Sequence, residues 1–240
     1  MALRQVDAFA NLAIQGLGFA SPVLGSIGTP LMIAQTQHAG RTTPTDAYAA
    51  AIAVIVSLMF VTVLLAAGML AVERSENAYA RLVRGLVSPG ELLAEKILLS
   101  AGCATLVTLV MAASVSLFVH LDWSRFELWV AALAVGAAAF GALGVLIGGV
   151  AREVSAASLL ALLVSLPIAF VALVPANAVS GALKSVLDVI AFVFPFKAGL
   201  QAVSNAFTGT APGIGLPLLH LALLAVAFGA LARVSLRRFA

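Results

Sequence analysis

The densest group of ionisable side chains in this chain is the interval Glu73 to Lys96, ERSENAYARLVRGLVSPGELLAEK, set between two uncharged apolar runs. It is a place where a signal or a force could be received. Hydrolytic chemistry finds no support in the remaining residue types. There is no G-x-S-x-G, no H-E-x-x-H and no pair of acids inside an apolar run, so intramembrane hydrolysis lacks its nucleophile, metal ligands or paired carboxylates. No G-x-x-x-x-G-K-[ST] loop occurs, so the chain has no means of hydrolysing nucleotide by itself. His38, His120 and His220 stand apart, without partners at metal-ligand spacing, and read as interfacial or helix-packing residues. Cys103 is the only cysteine, which excludes an intrachain disulfide and a cysteine metal cluster.

The elements that must position the charged interval are membrane helices. Hydrophobic residues make up 62% of the 240 positions and charged residues only 10%, a balance that no water-soluble core of this size requires. A span needs about 20 apolar residues and must satisfy its backbone polar groups internally, so helices are expected. The predicted fold is all-α, a polytopic membrane helix bundle forming one transmembrane domain over 1–240. Its six spans fall at about 11–34, 49–72, 97–120, 128–151, 155–175 and 214–233. The first of these is rich in Gly and Ser and contains Pro22 and Pro30; an interfacial segment or an uncleaved signal-like stretch are the alternatives. The five other runs have no Asp, Glu, Lys or Arg in their interiors, which argues against coupling to an ion gradient by this chain alone.

Six spans put both termini on one side. Arg4, Arg74, Arg81, Arg84, Lys96, Arg152, Arg233, Arg237 and Arg238 then share a face, against Arg41, Arg125, Lys184 and Lys197 on the other, which makes the first face cytoplasmic. The basic residues orient helices rather than form a patch for nucleic acid, so no nucleic-acid partner is expected. On the outer side, residues 180–210 are apolar yet broken by Asp188, Pro195 and Lys197. A re-entrant hairpin of two short helices fits this pattern, as does an amphipathic helix lying on the outer surface. In the run 128–151, Gly144 and Gly148 form G-x-x-x-G, and Gly141 with Ala137 extends the small-residue spacing. They permit close helix approach, within the bundle or at a subunit interface.

Within the charged interval, Tyr79, Leu82 and Val83 lie on one side of a predicted short helix and Glu76, Arg81 and Arg84 on the other. Ser88 is placed to cap a second helix with Pro89 at its first position, and Glu91 suits the positive N-terminus. Lys96 marks the return into the membrane.

This order, charged residues ending a span, a short helix, a hydrophobic-Ser-Pro turn, an apolar helix and a Lys entering the next span, resembles the permease subunits of the ABC-2 type exporter family. ERSENAYARLVRGLVSP followed by GELLAEKILL carries the resemblance, together with FPFKAGLQAVSNAF before the last span and the terminal SLRRF. It covers roughly residues 49 to 240, whereas MALRQVDAF is shorter than the family's usual amphipathic N-terminal segment. The resemblance implies a partnership with two cytoplasmic ATPase subunits and a second permease, the same or related, in a bacterial or archaeal inner membrane. ATP and Mg would be bound by the ATPase and no cofactor by this chain. The interval 73–96 would be the coupling helix, touching the ATPase through Glu76, Tyr79, Arg81, Arg84, Ser88, Pro89 and Glu91, with Arg152 and Glu153 as a second cytoplasmic contact. An uncharged lining would suit a hydrophobic or amphipathic cargo, such as a lipid, a drug-like molecule or a lipid-linked saccharide. A membrane-embedded assembly or regulatory protein, or a lipid-acting enzyme, is the competing reading.

Overall fold

The computed structural model describes residues 37–38, 41–42, 45–76, 88–119, 121–151, 153–173, 182–208 and 213–237. The predicted span 11–34 lies outside the described residues. The chain divides into two units, Met1–Thr42 and Thr43–Ala240. In the first, the described part is a two-residue antiparallel pair, β1 (Gln37–His38) with β2 (Arg41–Thr42).

Described helices in the second unit are α1 (Thr45–Ser75), α2 (Pro89–Val115), α3 (Phe126–Val150), α4 (Val154–Leu173), α5 (Ala182–Val193), α6 (Pro195–Phe207) and α7 (Gly215–Arg237). Four contain stretches long and apolar enough to cross a bilayer: Ala47–Ser75, Gly90–Val115, Phe126–Val150 and Gly215–Leu236. The apolar part of α4, Val154–Phe170, is shorter, and Pro167 lies inside that helix. These helices outrun the predicted spans at their charged ends. Residues 73–75 continue α1, and residues 89–96 are the opening residues of α2 rather than a separate element. Backbone hydrogen bonding propagates past the point where hydropathy falls, so charge marks a change of solvent and not a helix end. At its other end α2 stops at Val115, five residues short of the expected 120, and the Ser116 N–H closes the last turn on Ala112 O at 2.9 Å.

Helix α3 is the centre. It packs against α1, α2, α4, α6 and α7, and most of its residues from Ala132 to Gly149 are buried. Its small residues explain how. A Cβ added at Gly144 would sit 2.7 Å from Val63 O and 2.8 Å from Ala66 Cβ. One added at Gly148 would sit 2.6 Å from Ala67 O. The backbones of α1 and α3 therefore touch, running parallel with Gly136 beside Leu58, Gly144 beside Val63 and Gly148 beside Ala67. At Gly141 the added carbon would meet Ser100 Oγ of α2 at 3.0 Å and Thr62 Cγ2 of α1 at 3.4 Å. All three glycines thus serve contacts inside one chain.

Helices α5 and α6 meet at Phe194, where Pro195 lacks an N–H and cannot continue α5. Helix α6 is buried along Pro195, Phe196, Ala198, Gly199, Leu200, Ala202 and Val203, and it packs on α1, α3 and α7. Helix α6 is therefore packed into the bundle, while Asp188, Val189, Phe192 and Val193 of α5 are exposed. Its last carbonyls are satisfied near the start of α3: Trp129 Nε1 donates to Ala206 O at 3.2 Å, and the Asp122 N–H donates to Phe207 O at 3.0 Å. Trp123 and Phe207 pack on Trp129 with tilted rings, their centroids at 4.6 and 4.8 Å. Deeper in, Gly199 lies against Ile55 of α1, where an added Cβ would come 2.9 Å from Cδ1.

The α1–α3 contact makes a sharp contrast among glycines. Gly144→Leu and Gly148→Leu are each expected to destabilise the protein by about 3 kcal/mol or to prevent folding, the upper range for overpacking a core. Gly102→Ala, with nothing within 4 Å of its added carbon, should be neutral or slightly stabilising. Thermal unfolding of the detergent-purified variants checks both outcomes.

Candidate functional site

At the end of the bundle where α1 finishes and α2 begins, four helix termini come together. Helix α1 delivers Glu73 and Arg74 and α2 delivers Glu91, Glu95 and Lys96, while α3 ends at Val150 and α7 brings Arg233. Lys96 Nζ lies 2.5 Å from Glu73 Oε1 and 3.2 Å from Glu95 Oε1. The side chains of Lys96 and Glu73 are only 11% and 17% exposed, so their pair is largely shielded from solvent. Glu73 Oε2 is buried and has no hydrogen-bond partner among the described residues. The pair closes the base of the interval 73–96, tying the end of α1 to the third turn of α2.

Arg74 makes a second tie. Its Nη1 donates to Gly149 O and, at 3.0 Å, to Ala151 O, two carbonyls that the end of α3 leaves without helical partners. A cation at a helix C-terminus also opposes the negative end of the macrodipole. Helix α2 starts with a full capping box: the Glu91 N–H donates to Ser88 Oγ at 3.2 Å, and the Ser88 N–H donates to Glu91 Oε2 at 3.0 Å, with Pro89 in the first helical position. The guanidinium of Arg233 covers Gly90, which an added Cβ would place 3.8 Å from Cζ. Leu92, Leu93, Leu70, Val145, Ala232 and Leu236 form a separate apolar cluster behind these polar groups.

Several predicted site residues join this assembly and others do not. Ser88 and Glu91 form the cap, Glu76 is exposed just beyond α1, and Pro89 opens α2. Tyr79, Arg81, Arg84 and Arg152 lie outside the described residues. Glu153 is exposed beside the start of α4, where its carbonyl accepts from the Ala157 N–H at 2.9 Å. Pro195 and Lys197 belong to the first turn of α6, away from this end of the bundle, and Gly141, Gly144 and Gly148 to the helix contacts. Sequence reasoning missed the Glu73–Lys96 pair and the role of Arg74. The available signal was an acid closing one apolar run and a base opening the next.

The sequence matches the family described as ABC-2 family transporter protein over residues 10–234. The chain belongs to the ABC-2 transporter family. No curated protein and no solved structure matches it. As an ABC-2 permease it is an integral membrane protein and a membrane component of an ABC transporter. The tied helix ends therefore belong to a transport subunit, in which the connection between α1 and α2 is anchored to α3 at its base.

Exposed ion pairs contribute about 0–1 kcal/mol, whereas removing one partner of a fully buried pair costs about 3–5 kcal/mol. The shielding of Glu73 and Lys96 puts this pair between those limits. Lys96→Met should cost roughly 2 kcal/mol because it leaves a shielded carboxylate uncompensated, and adding Glu73→Gln should recover part of the loss. Arg74→Met should cost about 1–3 kcal/mol through the abandoned carbonyls. Unfolding of each variant in detergent gives the order.

Proposed function

We infer that this permease works in an ABC exporter, driven by ATP and Mg bound in a separate cytoplasmic ATPase, with the interval 73–96 as the element the ATPase moves. The observation that carries this reading is the anchoring of the interval's base. Glu73, Lys96 and Arg74 tie α1, α2 and α3 together, so a displacement applied between residues 76 and 88 is received by three long helices at once. A helix end held only by solvent would absorb such a displacement locally. Glu76, Tyr79, Arg81 and Arg84 are the proposed ATPase contacts, Ser88, Pro89 and Glu91 fix the turn, and Arg152 with Glu153 adds a smaller contact.

In this reading the transporter has two ATPase copies and two permeases, the same or related, in a bacterial or archaeal inner membrane. Helix α4 and residues 11–34 complete six spans beside the four long apolar helices, and both termini are cytoplasmic. The cargo is hydrophobic or amphipathic, carried outward.

Two measurements test the proposal. An ABC ATPase encoded beside the permease should co-purify with it, and Arg81→Glu combined with Arg84→Glu should lower ATP-driven transport in proteoliposomes at least tenfold; no co-purification and unchanged transport would sink it. Orientation is tested separately in a Cys103→Ser background. Ser75 and Ser124 are both exposed, at opposite ends of the bundle. Ser75→Cys should react with an impermeant thiol reagent only from the cytoplasmic side and Ser124→Cys only from outside.

A further inference from the structure

The inserted hairpin carries charge to the middle of the bundle. Helix α6 runs antiparallel to α3: Ala206 lies beside Trp129, near the start of α3, and Gly199 lies deeper, against Ile55 and Phe140. Nine residues separate Ala206 from Lys197, a descent of about 14 Å at the helical rise. Trp129 is itself roughly 5 Å below the start of α3 by the same rise. Lys197 therefore stands about 18 Å down a helix that is about 37 Å long, close to its midpoint.

Three polar side chains share that level. Lys197 Nζ and Asp188 Oδ1 of α5 face each other at 3.9 Å, the outer limit of an ion pair, with side chains 42% and 55% exposed. His220 of α7 lies against α5, its Nε2 2.9 Å from Phe192 O, a carbonyl near the break before Pro195. Around them Val189, Phe192 and Val193 are exposed. Charged side chains at mid-bilayer are costly in hydrocarbon and are held where they face a water-filled cavity or another polar surface. An ion pair this loose and this open leaves both partners with unused hydrogen-bonding capacity.

We propose that Lys197 and Asp188, beside His220 and flanked by Val189, Phe192 and Val193, line a water-accessible cavity at mid-membrane and bind the charged headgroup of an amphiphilic cargo. Lys197 takes the anionic group, Asp188 takes a neighbouring cationic group where the headgroup is zwitterionic, and the exposed apolar side chains receive the start of the acyl tail. A phosphate-bearing amphiphile with an ammonium group fits both charges. This deepens the transport reading and rests on it for the word cargo, but the cavity and the binding can be measured without any ATPase.

The test has two arms, both on the full chain with Cys103→Ser. In proteoliposomes, Lys197→Cys and Asp188→Cys should react with a charged, water-soluble thiol reagent at least tenfold faster than Leu106→Cys, whose side chain is exposed on α2 within the bundle's apolar length. Equal slow rates would place the pair against lipid or a second subunit and overturn the proposal. In detergent, lysophosphatidylcholine should raise the melting temperature of the parent protein. Lys197→Met and Asp188→Asn should each weaken that response at least fivefold in concentration, Lys197→Arg should retain it, and a nonionic alkyl glycoside should not distinguish the variants. Inorganic phosphate alone should not compete; competition by it would reduce the site to a simple anion site and overturn the amphiphile assignment. Loss of response to both amphiphiles alike would mean that the charges are structural. Failure of an ATPase to co-purify would leave both arms readable, so the transport reading and the headgroup site fail separately.

Discussion

The close approach of α3 to α1 is the contact on which the other arrangements depend. In lipid there is no hydrophobic gain from bringing two apolar helices together, so association relies on van der Waals contact and hydrogen bonds at short range. Gly144 and Gly148 allow the α3 backbone to reach Val63 and Ala67 directly. That leaves the other sides of α3 for α2, α6 and α7, and makes it the buried axis of the unit. Gly141 repeats the device one turn away, where Ser100 and Thr62 approach from α2 and α1. Their hydroxyls stay within their own helices, Thr62 donating to Leu58 O at 2.5 Å and Ser100 to Ile97 O at 3.1 Å.

A bundle built this way must also dispose of its helix ends. Backbone groups at termini have no intrahelical partners, and away from water each needs a named one. Arg74 supplies two carbonyls at the end of α3, and Trp129 with the Asp122 backbone supplies two at the end of α6. Ser88 and Glu91 satisfy the start of α2, and His220 reaches the carbonyl of Phe192 beside the hairpin break. Most of these ties cross between elements, so satisfying the backbone also fixes where one helix stops relative to another. The side chains that solve a solvation problem are also the ones that join separate helices.

How much of this could be read from residues alone follows from range. The long apolar runs are legible because length and absence of charge are local properties, and α1, α2, α3 and α7 follow from them. The capping box at Ser88 and the break at Pro195 are legible for the same reason, each depending on a few consecutive residues. Helix ends are less so: hydropathy reports the solvent, and the helices continue through Glu73 and from Pro89 without regard to it. The Glu73–Lys96 pair joins residues on different helices, and the depth of Lys197 depends on a register between α6 and α3 that no local pattern carries. Asp188 and Lys197 read as interruptions of an outer segment, and it is the packing of α6 beside α3 that sets Lys197 near the middle of α3's length, facing Asp188 of α5.

Helix α1 connects the two polar regions physically. Near one end Glu73 and Arg74 hold α2 and the end of α3, and 18 residues earlier Ile55 presses on Gly199 of the inserted hairpin. Between them α1 is continuous and contains no proline, a rod of about 27 Å by the helical rise. Along this length it is locked to α3 by backbone contact, so the two helices cannot slide independently without opening the Gly144 and Gly148 contacts. A tilt imposed at the Glu73 end must then either carry Ile55 with it or break that lock. Gly199 has no side chain to yield, and an added carbon there would already meet Ile55 Cδ1 at 2.9 Å. The cheaper response is for α6 to move with α1, and Lys197, two residues from Gly199, moves with α6. Close contacts between small residues, chosen by the chemistry of lipid, thereby join the charged base of the interval 73–96 to the charged tip of the hairpin.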